Sequence, residues 1–264
     1  MKRVVSFSLW GTSEIYLRGA LDAVDQVARS YPGWECWFYL AKDVPETIRK
    51  QLVYKGARVL DGPPWGPWAG MYWRFLAAAD PEVEIMISRD VDTLILEREV
   101  RAVEEWLDSG SPLHIIRDHP KHEMPIMGGM WGCRGGFFRN LLELIEKWNR
   151  FDCYGCDQEF LGRVIYPLFR DQAWIHSECI HFPHETLRPF TSPRESNQVI
   201  GMAIRDDAII QLQTKYLKEW QDAGSPLLKR PHPWGISGKI RRLTRGRWPG
   251  QSLRSRKETL SDQS

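Results

Sequence analysis

Glu84-Ile85-Met86-Ile87-Ser88-Arg89-Asp90-Val91-Asp92 is the stretch on which the reading of this chain turns. Ile85 to Ser88 has the length and apolar content of a buried strand, and it runs straight into two acids separated by one residue. Upstream, strand and helix signals alternate. Val4 to Leu9 reads as the first strand, and Leu17, Leu21, Val24, Ala28 and Tyr31 mark one helical face that stops at Pro32-Gly33. Glu35 to Leu40 predicts a strand, Pro45 to Lys55 a helix, Ala57 to Leu60 a strand and Ala69 to Ala79 a helix. Beyond the acids, Val100, Val103 and Leu107 predict a helix closed by Ser109-Gly110, and Leu113 to Ile116 a further strand. This rhythm predicts an α/β fold, one domain on a mainly parallel twisted sheet with helices on both faces. Ligands of such sheets sit beyond the carboxyl ends of strands, where Asp90 and Asp92 are expected.

The second half is less regular. Gly128, Gly129, Gly132, Gly135 and Gly136 crowd one segment; helices are expected over about 139–150 and 157–165. Trp174-Ile175-His176 reads as a short strand and Ala208 to Leu212 as a last one. With 264 residues, 42% hydrophobic and 27% charged, the chain has the composition of an ordinary globular protein with a full core. No run approaches the roughly 18 apolar residues of a membrane span. The apolar run after Lys2-Arg3 ends at Gly11-Thr12-Ser13, too soon for a secretory signal, so a cytoplasmic protein is expected. Five cysteines, including a lone Cys153-x-x-Cys156, then read as reduced thiols.

Charge is uneven. Lys229 to Ser264 holds ten Lys/Arg against two Asp/Glu, so the rest of the chain carries an acidic excess. The expected division is a folded body over 1–228 and a basic tail over 229–264. In the tail Arg241, Arg242, Arg245 and Arg247 alternate with Trp234, Ile236, Ile240, Leu243 and Trp248. That mixture suits either a peripheral contact with an anionic membrane surface or a solvated tail. No nucleic-acid reading element is visible, and no nucleic-acid partner is expected.

Asp90 and Asp92, on extended backbone, project to the same side and can share a hard divalent cation such as Mn²⁺ or Mg²⁺. A cation so held neutralises the charge that a nucleotide-diphosphate leaving group develops. The bland alternative is a pair of solvated acids capping the next helix. Arg74 and Arg89 are placed to meet phosphate by bidentate hydrogen bonds; a surface residue and an ion pair are their ordinary readings. Arg117-Asp118-His119-Pro120 follows a strand, which sends it to the same sheet edge. Arg117, Asp118, His119 and His122 are expected to reach bound substrate there. Gly128 and Gly129 would let backbone approach a sugar closely, or simply form a turn. No GxGxxG follows a strand and no GK[ST] loop exists, so dinucleotide and P-loop phosphate cradles are missing.

Taken together, Trp73-Arg74-Phe75-Leu76, SRDVDT over 88–93, Arg98-Glu99, HIIRDHP over 114–120 and IMGGMWG over 126–132 resemble a family of predicted bacterial and large-virus glycosyltransferases of the GT-A type. VSFSLWG over 5–11 and Pro32-Gly33-Trp34 fit the same family, and the resemblance spans about 4–205. It implies a GT-A-like catalytic domain, a metal site at Asp90 and Asp92, and transfer from a nucleotide-diphosphate sugar, UDP- or GDP-linked. The acceptor would be a glycan, a lipid-linked sugar or a lipopolysaccharide.

Further roles follow from that resemblance. The loop after the first strand, Phe7, Ser8, Leu9 and Trp10, would receive base and ribose, with Trp10 stacking on the base or only packing. Asp157-Gln158 resembles an element that such enzymes place beside the acceptor. Asp157, with Asp118 as the second catalytic carboxylate, would deprotonate the acceptor or orient the sugar, or merely cap a helix. A histidine often completes the metal shell, and His176 is the expected one ahead of His181 and His184. Two other classes stay open. A nucleotidyltransferase of similar topology would need a Gly-rich basic loop after the first strand, which Leu9 to Ser13 lacks. A non-catalytic glycan- or membrane-binding protein would keep the fold without turnover.

Overall fold

The computed structural model describes residues 1–195 and 197–234. Ten strands and eight α-helices follow one another in the order β1 (Lys2–Leu9), α1 (Glu14–Ser30), β2 (Glu35–Leu40), α2 (Glu46–Tyr54), β3 (Arg58–Asp61), α3 (Gly70–Trp73), β4 (Val83–Ser88), α4 (Glu97–Ser109), β5 (Leu113–Arg117), β6 (Trp131–Arg134), α5 (Leu141–Trp148), α6 (Cys156–Phe160), α7 (Tyr166–Phe169), β7 (Ala173–Ser177), β8 (Ile180–His181), β9 (Leu187–Arg188), α8 (Asp207–Asp222) and β10 (Leu228–Lys229). Eight strands form one sheet in the order β3-β2-β1-β4-β6-β5-β7-β9. All its pairings are parallel except those of β6, which runs antiparallel to both β4 and β5. The expected α/β architecture is therefore the observed one.

Alternation along each strand sends side chains to two separate cores. On β1, Val5, Phe7 and Leu9 pack with α1, α2 and α4 residues, while Val4 packs on the opposite face. On β4, Ile85 and Ile87 join the first core and Met86 the second. Helix α1 contributes Ala20, Ala23, Val24 and Val27 at three- to four-residue spacing, and α4 contributes Val103 and Trp106. Gly110 closes α4 at φ 71°, a left-handed cap that glycine adopts without steric penalty.

Three elements differ from expectation. The helix expected over 69–79 is two short pieces, α3 and a 3-10 turn over Leu76–Ala79, because the Arg74 amide donates to Ser8 Oγ (2.7 Å) instead of continuing the helix. Ala208 to Leu212 is not a strand but the start of α8. Asp206 caps it by accepting from the Ile209 amide (3.1 Å), and Leu217 and Trp220 on later turns are buried. Strand β6 lies in the glycine-crowded segment. There Gly132 and Gly135 leave room for Ile87 and the Val83 carbonyl, which any Cβ would overlap. Around α6 the chain also continues through a π-turn over Leu161–Ile165 into α7.

The chain stays packed on the body past 228. β10 pairs with β8, and the Trp234 ring lies against Gly162. The remainder of the basic tail, with the membrane contact expected of it, lies outside the described residues. Among those residues no helix is long and apolar enough to cross a membrane.

Gly19 on α1 faces the Val91 carbonyl so closely that a Cβ there would overlap it. Gly19→Ala is expected to destabilise the fold by about 1–3 kcal/mol through this overpacking, read as a lower midpoint in urea unfolding.

Candidate active site

The carboxyl ends of β1 and β4 open into a cleft of about 630 Å³. Its walls combine Ser8 to Trp10 after β1, Asp90 to Thr93 after β4, Gly128 to Met130 before β6, the His119–His122 segment after β5, Gln158 on α6 and the first turns of α8. Asp90 follows Ser88 just past the end of β4, on the face opposite Ile85 and Ile87, and the turn at Val91-Asp92 brings the second acid to the same cleft. Ser8 shares the face; Phe7 does not.

Arg74 is the centre of the floor. Its guanidinium is almost wholly buried, bonded through Nη1 to Asp90 Oδ1 and through Nη2 to Asp157 Oδ2 (2.9 Å). The two carboxylates hold Arg74 firmly charged against the cost of burial. Gly128 and Gly129 press on this cluster from above. A Cβ at Gly128 would overlap Arg74 and Asp157, and one at Gly129 would overlap the Asp90 carboxylate. The close approach expected of the glycine pair is thus made to the ion pair, with the same backbone also lining the cleft. Arg74 Nε, Asp157 Oδ1 and Gln158 Oε1 are buried polar atoms with no partner among the described residues.

Asp90 is about 40% exposed at its side chain and faces the cleft. Burial, reinforced by the Asp90 charge nearby, pushes the Asp92 carboxyl up to about 6. Two carboxylates crowded into a partly desolvated pocket are a donor set that a hard cation relieves. Among the described residues no group of three or more His, Cys, Asp or Glu side chains converges as a metal cage. A cation here would be held by Asp90 and Asp92, with oxygens from ligand and water filling its shell.

Several expected site residues are placed elsewhere. Phe7 is in the α1-side core, stacked on Phe38. Arg89, one residue out of register with Asp90, turns down to Glu99 Oε1 (2.5 Å) beside Tyr31. Arg117 is sealed against Glu185 (2.6 Å) and the Pro125 carbonyl. Asp118 is fully buried, accepting from Arg194 Nη2 (2.9 Å), the Ile200 amide (3.0 Å) and Arg98. It ties α4 to the 190–200 loop and has no opening to substrate. Asp157 is likewise sealed, with its carboxylate held on Arg74 Nη2. His176 spends both ring nitrogens below the cleft, on His114 Nε2 (2.9 Å) and Glu105 (3.0 Å), leaving none for a metal.

The structure adds residues that sequence reasoning missed. Tyr16 on α1, Tyr154 before α6, and Ile209, Leu212 and Tyr216 on α8 all line the cleft. The α8 residues were hidden by reading their segment as a strand. Of the two histidines after β5, His119 is fully engaged. Its Nδ1 accepts the Lys121 amide (3.1 Å) and its Nε2 donates to the Gln213 carbonyl (2.9 Å) on α8.

No family model matches the chain, and no curated protein matches it in sequence. Solved structures do. The galactosyltransferase LgtC in complex with donor and acceptor sugar analogues is 14% identical, with a TM-score of 0.48 over 84% of this chain and 100% of that one. A glycosyltransferase involved in glycosylation of the major capsid of PBCV-1 is 15% identical, TM-score 0.44, over 67% of this chain and 84% of that one. The 4-diphosphocytidyl-2C-methyl-D-erythritol synthase from Anaerococcus prevotii is 11% identical, TM-score 0.47, over 82% and 99%. At these identities and scores the likenesses assign no activity.

The Asp92 carboxyl of the metal-free protein is expected to titrate near pH 6, and Asp90→Asn to lower it only in part, because burial, the larger cause, remains once the neighbouring charge is gone. Carboxyl-carbon NMR titration of the two proteins checks this.

Proposed function

We propose that the chain is a metal-dependent glycosyltransferase. It moves a sugar from a UDP- or GDP-linked donor to a glycan, lipid-linked or lipopolysaccharide acceptor. The observation that carries this reading is the convergence of Asp90, Asp92 and Arg74 at one point of a deep cleft at the carboxyl ends of β1 and β4. A nucleoside diphosphate brings negative charge that needs neutralising, a flat base that needs an apolar wall, and a sugar that needs hydrogen bonds. Each demand meets a matching group here.

Ser8, Leu9 and Trp10 form the wall for base and ribose, where the Trp10 ring is fixed by packing on Gly70. Asp90 and Asp92 would hold Mn²⁺ or Mg²⁺, which when bound supplies Lewis-acid stabilisation of the departing diphosphate. Arg74 adds a fixed positive charge beside them that needs no reorganisation as the leaving group develops charge. The Gln158 side chain and the Gly128–Gly129 backbone, which line the cleft, would face the sugar. In the transfer, the acceptor oxygen bonds to the anomeric carbon while the bond from that carbon to the diphosphate oxygen breaks. The electron pair leaves on the diphosphate, and the proton of the acceptor hydroxyl passes to the departing diphosphate or to water. Asp157 is a positioning residue in this scheme, because its carboxylate fixes Arg74.

Calorimetry with UDP and GDP tests the reading. Wild-type protein is expected to bind one of them at least tenfold more tightly with Mn²⁺ or Mg²⁺ than with EDTA, and Asp92→Asn to abolish the difference. Equal affinity with and without metal, or no binding of either nucleotide, would sink it.

A further inference from the structure

His122 sits in the wall of the cleft at 5% exposure. Its Nδ1 lies 3.1 Å from the backbone nitrogen of Asp118, and that N–H can only donate. Nδ1 is therefore the acceptor, which puts the ring proton of a neutral imidazole on Nε2. Burial, with His119, Arg194 and Arg117 as neighbouring positive or potentially positive groups, keeps the ring neutral by pushing its pKa well below the ordinary value. Among the described residues no hydrogen bond engages Nε2. The result is a single N–H donor of fixed direction, held by main chain, on a ring that borders the cleft.

Strand order says which part of the cleft the ring borders. From β1 through β4 and β6 to β5, the cleft edge presents Trp10, then Asp90 and Asp92, then Gly128 and Gly129, then His122. A nucleotide sugar is itself linear: base and ribose, diphosphate, sugar. With the base at β1 and the diphosphate at the carboxylates, the sugar points toward β5. The β5 end lies two strand spacings, roughly 10 Å, beyond that of β4. That is the reach of a sugar ring attached to a diphosphate held there.

We propose that His122 is a specificity-determining residue for the donor sugar, its Nε2–H donating to a sugar hydroxyl oxygen. This rests on the glycosyltransferase reading above and deepens it. His119, the neighbouring histidine, is excluded from that part because both its nitrogens are already spent. A neutral donor suits a hydroxyl, whereas an anionic group in this part of the cleft would meet the ammonium of Lys121, which lies 4.6 Å from the Tyr216 ring centroid.

The test compares UDP and GDP with UDP-glucose, UDP-galactose and GDP-mannose, in Mn²⁺, by calorimetry on wild type, His122→Asn and His122→Gln. Asn keeps an oxygen to accept the Asp118 amide but cannot reach into the cleft; Gln can place an N–H near the Nε2 position. Wild type is expected to bind one nucleotide sugar more tightly than its bare nucleotide. His122→Asn should lose about five- to tenfold on that nucleotide sugar alone, with the bare nucleotide unchanged within twofold, and His122→Gln should recover most of the loss. Thermal melts confirm that both variants fold; if Asn does not, His122→Phe takes its place as the donor-less variant. The inference is overturned if the sugar adds nothing to nucleotide affinity in wild type, or if the donor-less variant keeps the full increment. Failure of wild type to bind any nucleotide with Mn²⁺ overturns the parent reading instead, and this inference with it.

Discussion

A guanidinium buried between two carboxylates is the constraint from which the site is built. Arg74 would be costly to place at the floor of an α/β fold on its own, since removing a charge from water without partners costs several kcal/mol. Asp90 on one side and Asp157 on the other make the placement possible. They come from the ends of β4 and the start of α6, so the pair of bonds also fixes how those elements meet. Truncating Arg74 or Asp157 would leave the other without its buried partner, a loss of about 3–5 kcal/mol by the usual behaviour of buried pairs, whereas Asp90 keeps solvent on its exposed side. Stability and the cleft's charge therefore depend on the same atoms.

The sheet edge and its parity were legible in the sequence. The run Ile85 to Ser88 announces a buried strand that delivers Asp90 to the cleft, whereas Asp92 reaches it from the turn at Val91-Asp92 and not by strand alternation. The same parity, applied one residue off, explains what went astray. Arg89 continues the face of Ile85 and Ile87 and so meets Glu99 in the α4-side core. Phe7 belongs to the face of Val5 and Leu9, while Ser8 alternates to the cleft side. Arg117 and Asp118 end a strand buried on both faces, so each finds an internal partner before it can reach a ligand. Nothing local in RDHP distinguishes a residue that lines a cleft from one that anchors it, because the partners Glu185, Arg194 and Arg98 are distant in sequence.

Two further features were illegible for different reasons. Strand β6 carries Gly132 and the neighbouring Gly135, a composition that argues against a strand until the crowding of Ile87 and the Val83 carbonyl is seen. Helix α8 opens on Ala208-Ile209-Ile210, which local propensity reads as extended. The cap at Asp206 and burial of Leu217 and Trp220 two to three turns later decide otherwise. Tertiary packing outweighed propensity in both places, and α8 adds Ile209, Leu212 and Tyr216 to the cleft wall.

The glycines at 128 and 129 connect these observations. Any side chain there would displace Arg74, Asp157 or Asp90, so the turn into β6 seats directly on the ion pair. Ser88 Oγ donates to the Gly128 carbonyl (2.8 Å), which binds the turn to β4 two residues before the acids begin. Because Arg74 already engages one oxygen of Asp90, a cation in the cleft must share that carboxylate or displace the guanidinium from it. Either way Asp157, itself fully buried, remains bonded to Arg74 and pins its positive charge at the floor of the cleft.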